Sequence, residues 1–126
     1  MNRAPILWFS KRQNTVESST YGSELLAMRI AVEIIEGLRY KLHMMGVAIP
    51  DACAVFCDNS AVVTVARPET SLKKKHAAIN FHRVREAIAA GTIKVAKENT
   101  LSNLADILTK LMPGSKMKEL LKSILW

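Results

Sequence analysis

The sequence predicts an α/β fold. Three observations carry this: an apolar run, Ala54-Val55-Phe56-Cys57, that ends on Asp58-Asn59-Ser60; a second, alternating run from Thr92 to Lys97; and intervening stretches with apolar residues at steps of three and four. Ala54 to Cys57 is apolar on both alternating faces, the pattern of a strand covered on both sides. Two strands joined through a helical crossover form a parallel pair. In open α/β sheets ligands collect outside the carboxyl ends of the strands, so Asp58 stands where a site would be. The plainer reading is that Asp58 and Asn59 cap the next helix.

The 126 residues, 49% of them hydrophobic, suit one core, and the chain reads as a single domain over 1–126. Eighteen Lys and Arg against eleven Asp and Glu leave a formal net charge of +7, which points to an anionic partner such as nucleic acid. No apolar run is long enough to cross a bilayer, and the first residues lack a signal-peptide pattern. A soluble intracellular protein, cytoplasmic or nuclear, is expected. Cys53 and Cys57 would lie roughly 13 Å apart along a strand, beyond a disulfide's reach of about 7 Å. They read as reduced core residues. With His43, His76 and His82 they form no paired zinc-ligand spacing, and no zinc site is expected.

From the N-terminus, Ile6-Leu7-Trp8-Phe9 reads as a strand and Ser10 to Asn14 as a polar turn. A strand so near Met1 must find its partners elsewhere, which makes the N-terminus look cut. Ser18, Ser19 and Thr20 are N-cap candidates for a long helix reaching about Met45, with Gly46 as its stop. Its core stripe runs through Leu25, Met28, Val32, Ile35, Leu38, Leu42 and Met45, widened by Leu26, Ile30 and Ile34. Met28, Met44 and Met45 read as core filling, and Glu33 and Glu36 as solvent-facing acids.

After Pro50 and Asp51 comes the apolar strand, then a short helix over Ala61 to Ala66 closed by Pro68. A second long helix runs through Ala77, Phe81, Val84 and Ile88 to Ala90, with Gly91 at its end. Thr92 to Lys97 follows as a half-covered strand. Leu101, Leu104, Leu108 and Leu111 form one helical stripe before Pro113-Gly114. Asp106 lies about 200° off that stripe, toward solvent or a cleft. The segment 115–126 sets Met117, Leu120, Leu121, Ile124 and Leu125 against Lys116, Lys118 and Lys122, an amphipathic helix.

Glu24, Asp58 and Asp106 are the carboxylates able to form one site. Glu24 also reads as a helix-start acid, favoured by the macrodipole by about 0.3–1 kcal/mol. Lys73-Lys74-Lys75, continued by Arg83 and Arg85 on the following helix, is a candidate contact surface for nucleic-acid phosphates. Its plainer reading is a solvated patch.

Six blocks stand in the order seen in copia-type retrotransposon polyproteins: Trp8-Phe9-Ser10-Lys11-Arg12-Gln13, Glu17 to Glu24, Cys57-Asp58-Asn59-Ser60, Lys74-Lys75-His76, His82-Arg83-Val84-Arg85-Glu86 and Asn103 to Lys110. From about Trp8 to Leu111 the chain resembles the ribonuclease H domain at the C-terminal end of those polyproteins. Tyr21 to Ser23 departs from the family's more usual Glu-Ala. The resemblance implies a ribonuclease H-like mixed sheet with flanking helices. It also implies a four-carboxylate site for two Mg2+ ions, with Glu24, Asp58 and Asp106 matching three of the acids. The fourth belongs to a first, central strand upstream of the Trp8 block, so the resemblance implies a domain lacking its first strands. The implied activity is hydrolysis of RNA in RNA/DNA hybrids within the intact polyprotein, beside its reverse transcriptase portion, and weak or no activity for this chain alone. Two other readings stand beside it: a non-catalytic nucleic-acid-binding remnant, and a helical interaction module using the C-terminal helix.

Overall fold

The computed structural model describes residues 5–13, 19–66 and 78–124. They fall into two compact units, one of Thr15–Lys97 and one of Met1–Asn14 with Glu98–Trp126.

The larger unit opens with α1, Thr20–Met44. The Ser19 hydroxyl oxygen accepts the Gly22 N–H at 3.4 Å and caps the helix start. At the other end Gly46, at φ +78°, turns the chain out of the helix. The Val47 N–H then reaches back to Leu42 O, and the Gly46 N–H to His43 O, both at 2.9 Å. This is the Schellman pairing, which satisfies two carbonyls the helix leaves open. The Arg39 guanidinium donates to Ile49 O at 2.9 Å and Asp51 O at 2.7 Å, pinning the loop that feeds the next strand.

That strand, β1, is Cys53–Cys57. A short helix α2, Ser60–Val63, and a 3-10 turn, Thr64–Ala66, follow it. Helix α3, Ala78–Ala89, leads to β2, Ile93–Lys97. The strands pair in parallel, Cys53 opposite Ile93 and Cys57 opposite Lys97, as the helical crossover predicts. Helix α3 ends as α1 does: Gly91 has φ +69°, and the Thr92 N–H bonds Ala87 O at 3.0 Å. The core is Leu25, Met28 and Val32 of α1, Val62 and Val65, Phe81, Val84 and Ala87 of α3, and Ile93. Each large side chain buried there contributes about 1.5–3 kcal/mol of transfer free energy.

Several expectations for this unit are corrected. Ala54 and Phe56 face outward, Phe56 with 61% of its surface exposed, so among the described residues β1 is covered on one face only. Its inward residues, Cys53, Val55 and Cys57, pack beside the core. The α1 stripe is buried at Leu25, Met28 and Val32 and loosens toward its C-terminus, where Met44 and Met45 are exposed and fill no core. Glu36 is half-buried and ion-paired to Arg83, while Glu33 is exposed and pairs with Arg29 at 2.9 Å.

In the smaller unit, Ile6 to Phe9 forms no strand, and all four side chains are exposed. An extended segment becomes a strand only through a paired neighbour, and among the described residues β1 and β2 pair only with each other. The Ser10 hydroxyl donates to Leu108 O at 3.3 Å. The predicted leucine-stripe helix is reduced to α4, Asp106–Thr109. The Asn99 side chain accepts the Leu101 N–H at 3.0 Å and the Asn103 side chain accepts the Ala105 N–H at 3.1 Å. These local turns compete with the helix for its backbone donors. Leu101, Leu104, Leu108 and Leu111 consequently stay exposed. The C-terminal helix α5 is Gly114–Leu121, with Leu120 buried, and the expected Leu125 lies outside the described residues. No helix among the described residues is long and apolar enough to cross a membrane.

Candidate metal centre

The apolar run of β1 ends at Cys57, and the chain turns at once into α2. Asn59 makes that turn: its Oδ1 accepts the Ala61 N–H at 2.9 Å. The capping role therefore falls to Asn59 and not to Asp58. Glu24 sits in the first turns of α1. The two segments are 33 residues apart in sequence, yet the Cys57 thiol donates to Glu24 Oε2 at 3.8 Å. One ligand atom each from Glu24, Cys57 and Asp58 lies within 4.8 Å of the others, and all three residues are half-buried.

The electrostatics of this cluster act on the thiol. Burial pushes the Cys57 thiol above its usual range. A backbone contact at Asn59 works against this, and the charges of Glu24 and Asp58 add to it. The donor set fits a divalent cation. Two carboxylates supply hard oxygens suited to Mg2+, which keeps several waters. The protonated thiol is a poor ligand for so hard an ion.

Asp106 lies in the smaller unit, at the start of α4. It was expected to face solvent or a cleft, and it is buried, 5% exposed. A carboxylate is buried at acceptable cost only when paired and hydrogen-bonded. Here the Lys110 ammonium stands 2.8 Å from its Oδ1, and the Asn103 amide donates to the same atom at 3.4 Å.

Of the predicted cations, Lys73, Lys74 and Lys75 lie outside the described residues. Arg83 on α3 bridges to Glu36 on α1 and to Glu86, the latter at 3.0 Å. Arg85 holds its guanidinium 5.6 Å from the centre of the Phe81 ring, whose plane also meets His82 edge-on. Cys57 is the member of the cluster that sequence reasoning missed, since its partner Glu24 lies on another element.

Comparison with known proteins bears on what this centre serves. The chain is 30% identical over 107 residues to the retrovirus-related Pol polyprotein from transposon RE1 of Arabidopsis thaliana, covering 84% of this chain and 7% of that protein. It is 29% identical over 107 residues to the one from transposon RE2 of the same plant. To that from transposon TNT 1-94 of Nicotiana tabacum it is 30% identical over 114 residues, 90% of this chain and 8% of that protein. The chain is similar to part of a plant retrotransposon Pol polyprotein. It spans 7–8% of the length of these relatives. No family model and no solved structure matches it.

Proposed function

We propose that the chain is the ribonuclease H-like portion of a copia-type retrotransposon polyprotein, in which Glu24 and Asp58 are metal ligands for hydrolysis of RNA in RNA/DNA hybrids. The observation that carries this reading is the meeting of Glu24 and Asp58, within 4.8 Å by ligand atom, just beyond the carboxyl end of a parallel strand. The similarity to Pol polyproteins supports it, as does the formal net charge of +7.

Bound Mg2+ would supply phosphate polarisation and an activated water. The residues of the chain do the positioning. Asp58, between the strand end and the Asn59 cap, and Glu24, on the first turns of α1, would hold the metal. Asp106, the third acid that the resemblance assigns, is paired with Lys110 within its own unit. Lys73, Lys74, Lys75 and Arg85 contact backbone phosphates, and Arg83 chiefly ties α3 to α1. The ribose 2′-hydroxyl distinguishes the strand that is cut. The partner within the polyprotein is its reverse transcriptase portion.

The test is incubation of the chain with an end-labelled RNA/DNA hybrid and Mg2+. Weak cleavage of the RNA strand or none is expected from this chain alone, and any cleavage is abolished by Asp58→Asn. Cleavage that Asp58→Asn leaves unchanged, or cleavage of the DNA strand, contradicts the reading.

A further inference from the structure

The cluster at the end of β1 contains a sulfur that the hydrolytic reading does not use. We infer that Glu24, Cys57 and Asp58 together form a site for a borderline-soft divalent cation, Zn2+, with Cys57 as thiolate ligand. The site shares its carboxylates with the proposed Mg2+ centre, but it stands on ligand geometry alone and does not require that the chain cleave anything.

Zinc takes sulfur at about 2.3 Å and carboxylate oxygen at about 2.1 Å in a tetrahedron, which sets a sulfur and an oxygen ligand about 3.6 Å apart. Cys57 Sγ and Glu24 Oε2 are already 3.8 Å apart. The remaining separations, all within 4.8 Å, close by about an ångström through rotation of two half-buried carboxylates. Three protein ligands leave the fourth position to water. Thiolate is the donor that distinguishes Zn2+ from Mg2+.

The balance is simple. The Cys57 S–H bond breaks, an S–Zn bond forms, the proton leaves to solvent, and no electrons change hands. The second cysteine, Cys53, is at the other end of β1 and outside the cluster, which makes it an internal control.

The experiment titrates the whole chain with Co2+, a visible probe for a zinc site, and separately maps cysteine alkylation by mass spectrometry with and without Zn2+. The expected results are a thiolate-to-cobalt charge-transfer band that Cys57→Ser removes and Cys53→Ser retains, and at least tenfold slower alkylation of Cys57, but not Cys53, when Zn2+ is present. Loss of an outer-shell partner alone weakens metal sites by about 10–100-fold, so Cys57→Ser should weaken Zn2+ binding by at least that much. The alkylation arm uses the unaltered chain and stands even where Cys57→Ser fails to fold. Absence of the band at saturating Co2+, or Zn2+ leaving Cys57 alkylation unchanged, overturns the inference. A charge-transfer band beside hybrid cleavage that Asp58→Asn leaves unchanged keeps the zinc site and removes the hydrolytic reading; Mg2+-dependent cleavage that Asp58→Asn abolishes, without the band, does the reverse.

Discussion

The Cys57 thiol donates to Glu24 Oε2 at 3.8 Å, joining the end of a strand to the start of a helix across 33 residues of sequence. Burial first, then the negative charges of Glu24 and Asp58, hold the proton on sulfur.

Cys57 should consequently be slow to alkylate at neutral pH, its rate climbing about tenfold per pH unit through the ordinary thiol range and beyond. Glu24→Gln removes one of the charges that raise the thiol, so it should speed alkylation at fixed pH. The sign for stability follows: a thiol raised above its unfolded value contributes stability that is present below the unfolded value and lost as pH rises through the folded one. Equal Cys57 rates in the two proteins would contradict the electrostatic coupling.

Gly91→Ala should destabilise the fold by about 1–2 kcal/mol, because its φ of +69° is the left-handed conformation in which a side chain is strained. A Cβ there meets nothing within 4 Å, so the cost is conformational and not steric. Urea denaturation measures it, and an unchanged midpoint would contradict the Schellman ending of α3.

Arg83 and the lysine run should separate by readout. Arg83→Gln removes pairs to Glu36 and Glu86 that are about one-third exposed or more, and should cost little stability because solvent screens such pairs. Its effect on the salt dependence of hybrid binding should be small. Replacing Lys73, Lys74 and Lys75 together by Gln should flatten the slope of log affinity against log salt by about 2–3, at about 0.9 for each phosphate no longer neutralised. A large slope change from Arg83→Gln, and none from the lysines, would reverse the assignment.

Much of the larger unit is legible in its sequence because its signals are local. The helix α1 is bounded by Ser19 and Gly46, and the core positions Leu25, Met28 and Val32 follow from their spacing. The parallel pairing of β1 and β2 follows from a helical crossover. Ile6 to Phe9 reads as a strand and is not one, since pairing depends on a distant segment that composition does not reveal. The leucines from Leu101 to Leu111 have helical spacing, and the Asn99 and Asn103 side chains divert the backbone that would carry it. The pairing of Asp106 had a readable signal: Lys110 follows at i,i+4, a spacing that brings opposite charges together on a helix. In the candidate metal centre the position of Asp58 was legible, because it ends an apolar run before a capping residue. Its meeting with Glu24, and the presence of Cys57 beside both, depends on where the first turns of α1 lie relative to the end of β1, which no spacing along the chain encodes.

The central claim is that Glu24 and Asp58 hold one divalent cation, and paramagnetic Mn2+ tests it most directly. In a two-dimensional amide spectrum of the labelled chain, substoichiometric Mn2+ should selectively broaden the resonances around Glu24 and Asp58, and Mg2+ should restore them. Asp58→Asn should abolish the selective broadening while leaving the rest of the spectrum in place. Broadening spread evenly over the exposed acids, or unchanged in Asp58→Asn, would contradict the account.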